Sequence, residues 1–177
     1  MRPWRNTEHR DLIVELARLF QPHTYVEIGV KRGYVFNSVS PHVKRAVAVD
    51  IAPMDRVVRL PHVEIHQCMS AEFSRQWRDP IDLLFIDADH RKEAVLEDFD
   101  NFSACVREGS GLILLHDTHP VKDELMSDGY CGNAWEAAAE IHSAVYYSDF
   151  EIVTLPGPWA GLSICRKVTG GHLSVRI

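Results

Sequence analysis

Two short segments hold most of the side chains able to do chemistry. Asp87-Ala-Asp89-His90 and His116-Asp117-Thr118-His119 each follow an apolar run, residues 83–86 and 112–115. If those runs are adjacent parallel strands, their ends lie about 4.8 Å apart. Asp87 and Asp117 then converge on one point, with His116 or Asp89 near it. Two carboxylates crowded into a crevice repel each other unless one is protonated or a cation sits between them. An oxygen-rich site of this kind suits Mg2+, Mn2+ or Ca2+. His90 stands three residues beyond Asp87 and is placed to take a proton near neutral pH. Plainer roles stay open for the neighbours. Asp89 can cap a helix starting near Arg91, His119 precedes Pro120 in a loop, and His116 can satisfy itself on a backbone carbonyl. The remaining histidines, such as His9, His42 and His172, are read as having no catalytic role.

A second constellation lies nearer the N-terminus. Thr24-Tyr-Val-Glu-Ile28 runs into Gly29-Val-Lys-Arg-Gly33, a glycine turn leading into a helix. Gly29 lets the backbone turn tightly and admits close approach of a ligand, and Gly33 opens the helix. Asp50 lies 21 residues after Gly29, at the end of the next apolar run. A carboxylate there can accept both hydroxyls of a ribose, or it can cap a helix. Together the turn and Asp50 predict an adenosine-type ligand. A pyrophosphate wants a glycine-rich helix N-terminus and a nearby cation. Glu27 beside the turn would repel phosphate but suits an ammonium and a sulfonium, which favours S-adenosylmethionine over NAD. Lys31 and Arg32 either face solvent or hold that ligand's carboxylate.

The elements that must position these residues alternate in period. Leu12, Ile13, Leu16, Leu19 and Phe20 recur at helical spacing, with Asn6 or Thr7 available as a cap ahead of Glu8. The runs 46–49, 83–86 and 112–115 are continuously apolar, as parallel strands covered on both faces require, and 24–28 with a weaker run at 63–65 are apolar around Glu27 and Glu64. Val95, Phe99, Phe102 and Val106 predict one further helix, and Ala134, Ala138, Ile141 and Val145 another. Residues 150–155 and 162–168 flank a short turn, so this last pair must be antiparallel. The expected fold is α/β, a single doubly wound domain over residues 1–177. The polar stretch 118–133 shows no clear periodicity and is either an active-site lid or a plain connector.

Composition narrows the classes. The 177 residues carry 19 Lys+Arg against 25 Asp+Glu, a net charge of −6, which argues against a nucleic-acid binder. No run of 18 apolar residues exists, and no apolar stretch follows the basic start as a secretory peptide would need. Cys68, Cys105, Cys131 and Cys165 are spread wide with no CxxC pair, the pattern of reduced thiols in a cytoplasmic protein.

Three segments carry a resemblance. Tyr25-Val-Glu-Ile-Gly-Val-Lys-Arg-Gly33, Asp82-Leu-Leu-Phe-Ile-Asp-Ala-Asp-His90 and Gly111-Leu-Ile-Leu-Leu-His-Asp-Thr-His119 resemble class I S-adenosylmethionine-dependent methyltransferases. The closer likeness is to the small-molecule O-methyltransferase group that includes macrolide-sugar O-methyltransferases and cephalosporin hydroxylase-like proteins. Residues 150–162 look like that group's closing hairpin, so the likeness spans about residues 24–167. It implies a Rossmann-like, seven-stranded sheet whose last strand is antiparallel. By likeness Glu27 and Gly29, with Gly33, line the methionine part of the cofactor, Asp50 the ribose, and Met69, Ser70 and Ala71 the adenine. Relatives often carry an acidic residue where Met69 stands, which shifts adenine recognition here to Ser70 or to backbone groups. Asp87 belongs to both sites. With His116 and Asp117 it matches the metal ligands of relatives, His116 replacing a carboxylate. His90 falls where the sugar methyltransferases place their general base.

The expected reaction is methyl transfer to an oxygen of a small hydroxylated acceptor, assisted by Mg2+ or Mn2+. A metal-dependent hydrolase built on Asp87, His116, Asp117 and His119 is the alternative, and it leaves Glu27, Gly29 and Asp50 without a role. A cofactor-binding protein without methylation activity is a third reading. The acceptor's pocket is expected from residues 118–133, the N-terminal helix and Trp135 or Trp159. Neither the acceptor nor a homo-oligomeric state is readable from the chain.

Overall fold

The computed structural model describes residues 8–127, 129–157 and 160–168. The elements run α1 (His9–Phe20), β1 (Thr24–Ile28), α2 (Phe36–Val39), β2 (Arg45–Asp50), β3 (Val63–Gln67), α3 (Ser70–Ser74), β4 (Leu83–Ile86), α4 (Lys92–Ser103), β5 (Leu112–His116), α5 (Ala134–Ser143), β6 (Phe150–Leu155) and β7 (Leu162–Lys167). The strands form one seven-stranded sheet in the order β3-β2-β1-β4-β5-β7-β6. β7 is antiparallel to both β5 and β6, and the other pairings are parallel. This is the Rossmann-like methyltransferase sheet that the sequence led us to expect. No helix among the described residues is long and apolar enough to cross a membrane.

Period-two alternation splits the apolar strands between two cores. Val26, Ile28, Val47, Val49, Leu84, Ile86, Ile113 and Leu115 face α3, α4 and α5, where Phe73, Phe99, Phe102 and Ile141 cover them. Tyr25, Ala46, Ala48, Leu83, Phe85, Leu112 and Leu114 face α1 and α2, covered by Ile13, Ala17, Phe36 and Val39. Each fully buried aromatic contributes roughly 1.5–3 kcal/mol of hydrophobic stabilisation. The register sets Ile28 level with Val49 and Ile86, and Ile86 level with Leu115. Four carboxyl ends therefore finish flush, flanking the point between β1 and β4 where the strand order reverses. A crevice forms at such a reversal.

Three local expectations are corrected. The N-cap of α1 is Glu8, without a side-chain capping bond, and Asn6 and Thr7 lie outside the described residues. Its buried stripe is Ile13 and Ala17, while Leu19 and Phe20 face solvent. α4 ends at Ser103 and α5 at Ser143, so Val106 falls past its helix, though still buried, and Val145 falls past its own and stands exposed. The stretch 118–133 is pinned at both ends. The His119 N–H donates to the Ala160 carbonyl at 2.6 Å, and the Asn133 N–H donates to the His90 carbonyl at 3.1 Å. Between them lies one 3-10 turn, Asp123–Met126.

Candidate active site

The alternation that faces Leu83, Phe85, Leu112 and Leu114 toward α1 carries on to the next polar positions. Asp87, just past β4, and His116, the last residue of β5, follow that same parity. Asp117 would by period face the other way. Its backbone is left-handed, φ +61°, and this returns the carboxylate to the His116 side. Asp is among the few side chains that tolerate this conformation, at a modest local cost.

Three donor atoms meet as a result. His116 Nδ1 lies 3.2 Å from Asp87 Oδ1 and 3.3 Å from Asp117 Oδ1. Nδ1 is buried yet makes no hydrogen bond, so it sits between the two oxygens without pointing at either. One ligand atom from each of Asp87, His116 and Asp117 lies within 4.8 Å of the others, an arrangement able to hold a metal ion. The hard oxygens and single imidazole fit Mg2+ or Mn2+. Without a cation a proton must do its work. Burial would lower the His116 pKa, but contact with Asp117 and Asp87 and their negative charges outweigh that and raise it to about 10. Burial would raise Asp117, but contact with His116 and the His116 and His90 charges hold it below the usual carboxylate range.

His90 approaches from the β4–α4 connection. Its Nδ1 is bound to the backbone carbonyl of Tyr130, which can only accept, so Nδ1 carries the proton. Nε2 faces two carboxylates, 3.2 Å from Asp117 Oδ2 and 3.8 Å from Asp87 Oδ1. A base in this position gains a proton beside a carboxylate that stabilises the imidazolium.

The glycine turn is built tighter than a ligand alone would demand. At Gly29, φ +88°, a Cβ would sit 2.2 Å from the Asp87 carbonyl oxygen. The close approach inferred from the sequence is thus one of the chain to itself, locking the β1 turn against the end of β4. Gly33 is also left-handed, φ +73°, and a Cβ there would press on Asn37 at 3.0 Å. Asp50 ties the neighbouring loops, accepting from the Lys31 N–H at 2.6 Å and the Ala52 N–H at 2.7 Å. Asp50 is itself half-buried, and its carboxylate has lone pairs beyond these two bonds with which to accept from hydroxyls. Glu27 differs from expectation. It is 2% exposed and bound by the Tyr25 hydroxyl, so its carboxylate lies under the turn with no open face. Burial pushes its pKa well up, and the charges of Asp87 and Asp50 add to that. Among the described residues no lysine or arginine pairs with Glu27, Asp50 or Asp87. With Glu27 pushed toward its neutral form by burial and Asp87 facing His116, Asp50 is the carboxylate of these three left to meet a ligand.

At the far side, Met69 is exposed, while Ser70 and Ala71 are half-buried in the first turn of α3. Ser70 lies beside Asp98, a buried carboxylate on α4 that the sequence did not single out. The expected cap at Asp89 is corrected: the N-cap of α4 is Arg91, without a side-chain capping bond, and Asp89 accepts from the Arg91 N–H and guanidinium ahead of the helix. His119 is exposed, its backbone pinned to Ala160, and it stays outside the cluster. Lys31 and Arg32 face solvent. Trp135 is half-buried, and Trp159 lies outside the described residues. His9, for which no catalytic role is read from the sequence, lies at the edge of the cluster: its Nδ1 is 3.0 Å from His116 Nε2, with ring centroids 4.0 Å apart. The available signal was the spacing His9–Ile13–Ala17, one stripe of an amphipathic helix.

Known proteins share this architecture. The structure is similar to the O-methyltransferase TomG from Streptomyces achromogenes, involved in tomaymycin synthesis and solved in complex with SAM. The TM-score is 0.65 at 18% identity, over 90% of this chain and 79% of that one. An O-methyltransferase from Bacillus cereus, in complex with SAH, gives 0.64 at 15% identity over 93% and 84%. The N-methyltransferase NodS from Bradyrhizobium japonicum gives 0.70 at 17% identity over 94% and 98%. At these identities the likeness shows the fold. The sequence itself matches a family described as a methyltransferase domain over residues 26–118, from the middle of β1 to just past Asp117. That interval contains the glycine turn, Asp50 and the whole carboxylate–histidine cluster, and the chain belongs to the class I S-adenosylmethionine-dependent methyltransferase family.

Proposed function

We propose that this methyltransferase acts on a hydroxyl oxygen of a small molecule, a sugar or another natural product, with a divalent cation held by Asp87, His116 and Asp117. The observation that carries the reading is the convergence of Asp87 Oδ1, His116 Nδ1 and Asp117 Oδ1 around an imidazole nitrogen that has no hydrogen bond. When bound, S-adenosylmethionine supplies an electrophilic methyl on a sulfonium and leaves as the neutral thioether. When bound, Mg2+ or Mn2+ supplies positive charge that lowers the pKa of a coordinated hydroxyl.

The chain's own residues do the rest. The turn from Gly29 to Gly33 and the Asp50 carboxylate hold the donor, Asp50 at the ribose. Glu27, buried and bound by the Tyr25 hydroxyl, braces β1 just ahead of that turn. Ser70, beside Asp98, and Ala71 border the adenine, with Met69 at its open edge. His90 Nε2 removes the acceptor's proton, and Asp117 stabilises the imidazolium so formed. An amine, once deprotonated by a base, attacks through its own lone pair without a cation, so hard oxygen ligands placed beside the base favour a hydroxyl. The hydrolase alternative has lost a member of its cluster, since His119 stays outside.

Titration calorimetry with S-adenosylhomocysteine tests the reading. Saturable one-to-one binding is expected. No heat at high protein concentration, together with metal-stimulated ester hydrolysis, would overturn it.

A further inference from the structure

We infer that His9 is a positioning residue for the cation site, fixing which nitrogen of His116 faces the metal; the inference rests on the metal reading given above. A histidine that ligates a metal gives one nitrogen's lone pair and donates the other N–H to an acceptor, and that acceptor decides which nitrogen is free. At His116 the nitrogen facing the two carboxylates is Nδ1. Its other nitrogen, Nε2, meets one hydrogen-bonding partner among the described residues, Nδ1 of His9 at 3.0 Å. With His9 as acceptor the proton stays on Nε2, and the Nδ1 lone pair points into the cluster.

The rest of the structure holds His9 in place for this. Ile13 and Ala17, one and two turns further along α1, are fully buried in the core on that face of the sheet. The His9 ring lies 6.0 Å from Phe85 and 4.0 Å from His116, centroid to centroid. A carboxylate in this position would add a third negative charge beside Asp87 and Asp117, whereas a neutral imidazole accepts the proton without adding charge. The tie also spans 107 residues, so a helix that supplies none of the three ligands is fastened to the site through one side chain.

The test is Mn2+ affinity of the full chain without methyl donor or acceptor, read by calorimetry or by the loss of the free-ion electron paramagnetic resonance signal. His9→Phe keeps a ring in place and removes the acceptor. His9→Asn places an amide oxygen near the position of Nδ1. We expect His9→Phe to weaken Mn2+ binding about 10–100-fold. Its thermal unfolding in EDTA should stay within about 2 °C of wild type, and His9→Asn should recover most of the affinity. Wild-type affinity in His9→Phe would overturn the inference alone. Equal losses in both variants, or a matching loss of thermal stability in EDTA, would make His9 a packing residue and overturn it as well. If the wild-type protein binds no Mn2+, the metal reading fails and this inference falls with it.

Discussion

A neutral imidazole carries one proton on two nitrogens, and at His90 the Tyr130 carbonyl claims the Nδ1 side. The other nitrogen, Nε2, is the one left facing Asp117, 3.2 Å away. His90→Ala should therefore lower turnover by about 10²–10⁴-fold, measured on an acceptor drawn from a panel of sugars, polyols and phenols. S-adenosylhomocysteine affinity should be nearly unchanged, and a collapse of cofactor binding along with activity would contradict the role of base. Asp98 makes a separate residue-scale prediction. Burial raises its pKa from 3.8 to about 6, against the opposing hydrogen bond from Ser70. Between those values the folded protein keeps a proton that the unfolded chain has released, so stability falls as pH rises from about 4 to 6. Asp98→Asn keeps an acceptor for Ser70 and removes the buried charge. It should stabilise the protein by roughly 2–3 kcal/mol at pH 7.5 and by little at pH 4, as denaturant unfolding at the two pH values would show.

At the scale of elements, the β1 turn and the end of β4 are one unit. The Gly29 N–H donates to the Val49 carbonyl, the Asp87 N–H donates to the Ile28 carbonyl, and no Cβ fits between the two segments. Gly29→Ala would meet both a left-handed backbone and the Asp87 carbonyl, costing about 3 kcal/mol or more. Thermal unfolding should show that loss, and cofactor and Mn2+ binding should weaken together because one turn supports both sites. Most of this was legible in the chain. An apolar run that stops at a polar residue marks the carboxyl end of a buried parallel strand, and Asp50, Asp87 and His116 each stand at such a stop, with Glu27 one residue inside the end of its own run. What escaped depends on tertiary placement. The stripe of α1 is rotated so that Leu19 and Phe20 face solvent and His9 faces the site, which only packing against Phe85 and Leu114 decides. The left-handed turn at Asp117 is equally silent, since Asp is compatible with either conformation. The stretch 118–133 offered no period because its hold comes from the backbone of Ala160 and His90, far along the chain.

For the molecule as a whole, the acidic balance acquires a location. Glu27, Asp50, Asp87 and Asp117 gather at flush carboxyl ends of neighbouring strands, beside the point where the strand order reverses. Each of the two cores fixes part of that cluster, one through α4 and α5 beneath the His90 connection and the other through α1 behind His116. The fold admits both oxygen and nitrogen methylation among its relatives, so the choice between them rests on the cluster. The most direct measurement is anomalous scattering from crystals grown with Mn2+ and S-adenosylhomocysteine. The account predicts one strong peak bounded by Asp87 Oδ1, His116 Nδ1 and Asp117 Oδ1, about 2.0–2.3 Å from each, with the cofactor analogue against Gly29 and Asp50. Bound analogue with no peak there, and His116 Nδ1 hydrogen-bonded to one carboxylate, would contradict it.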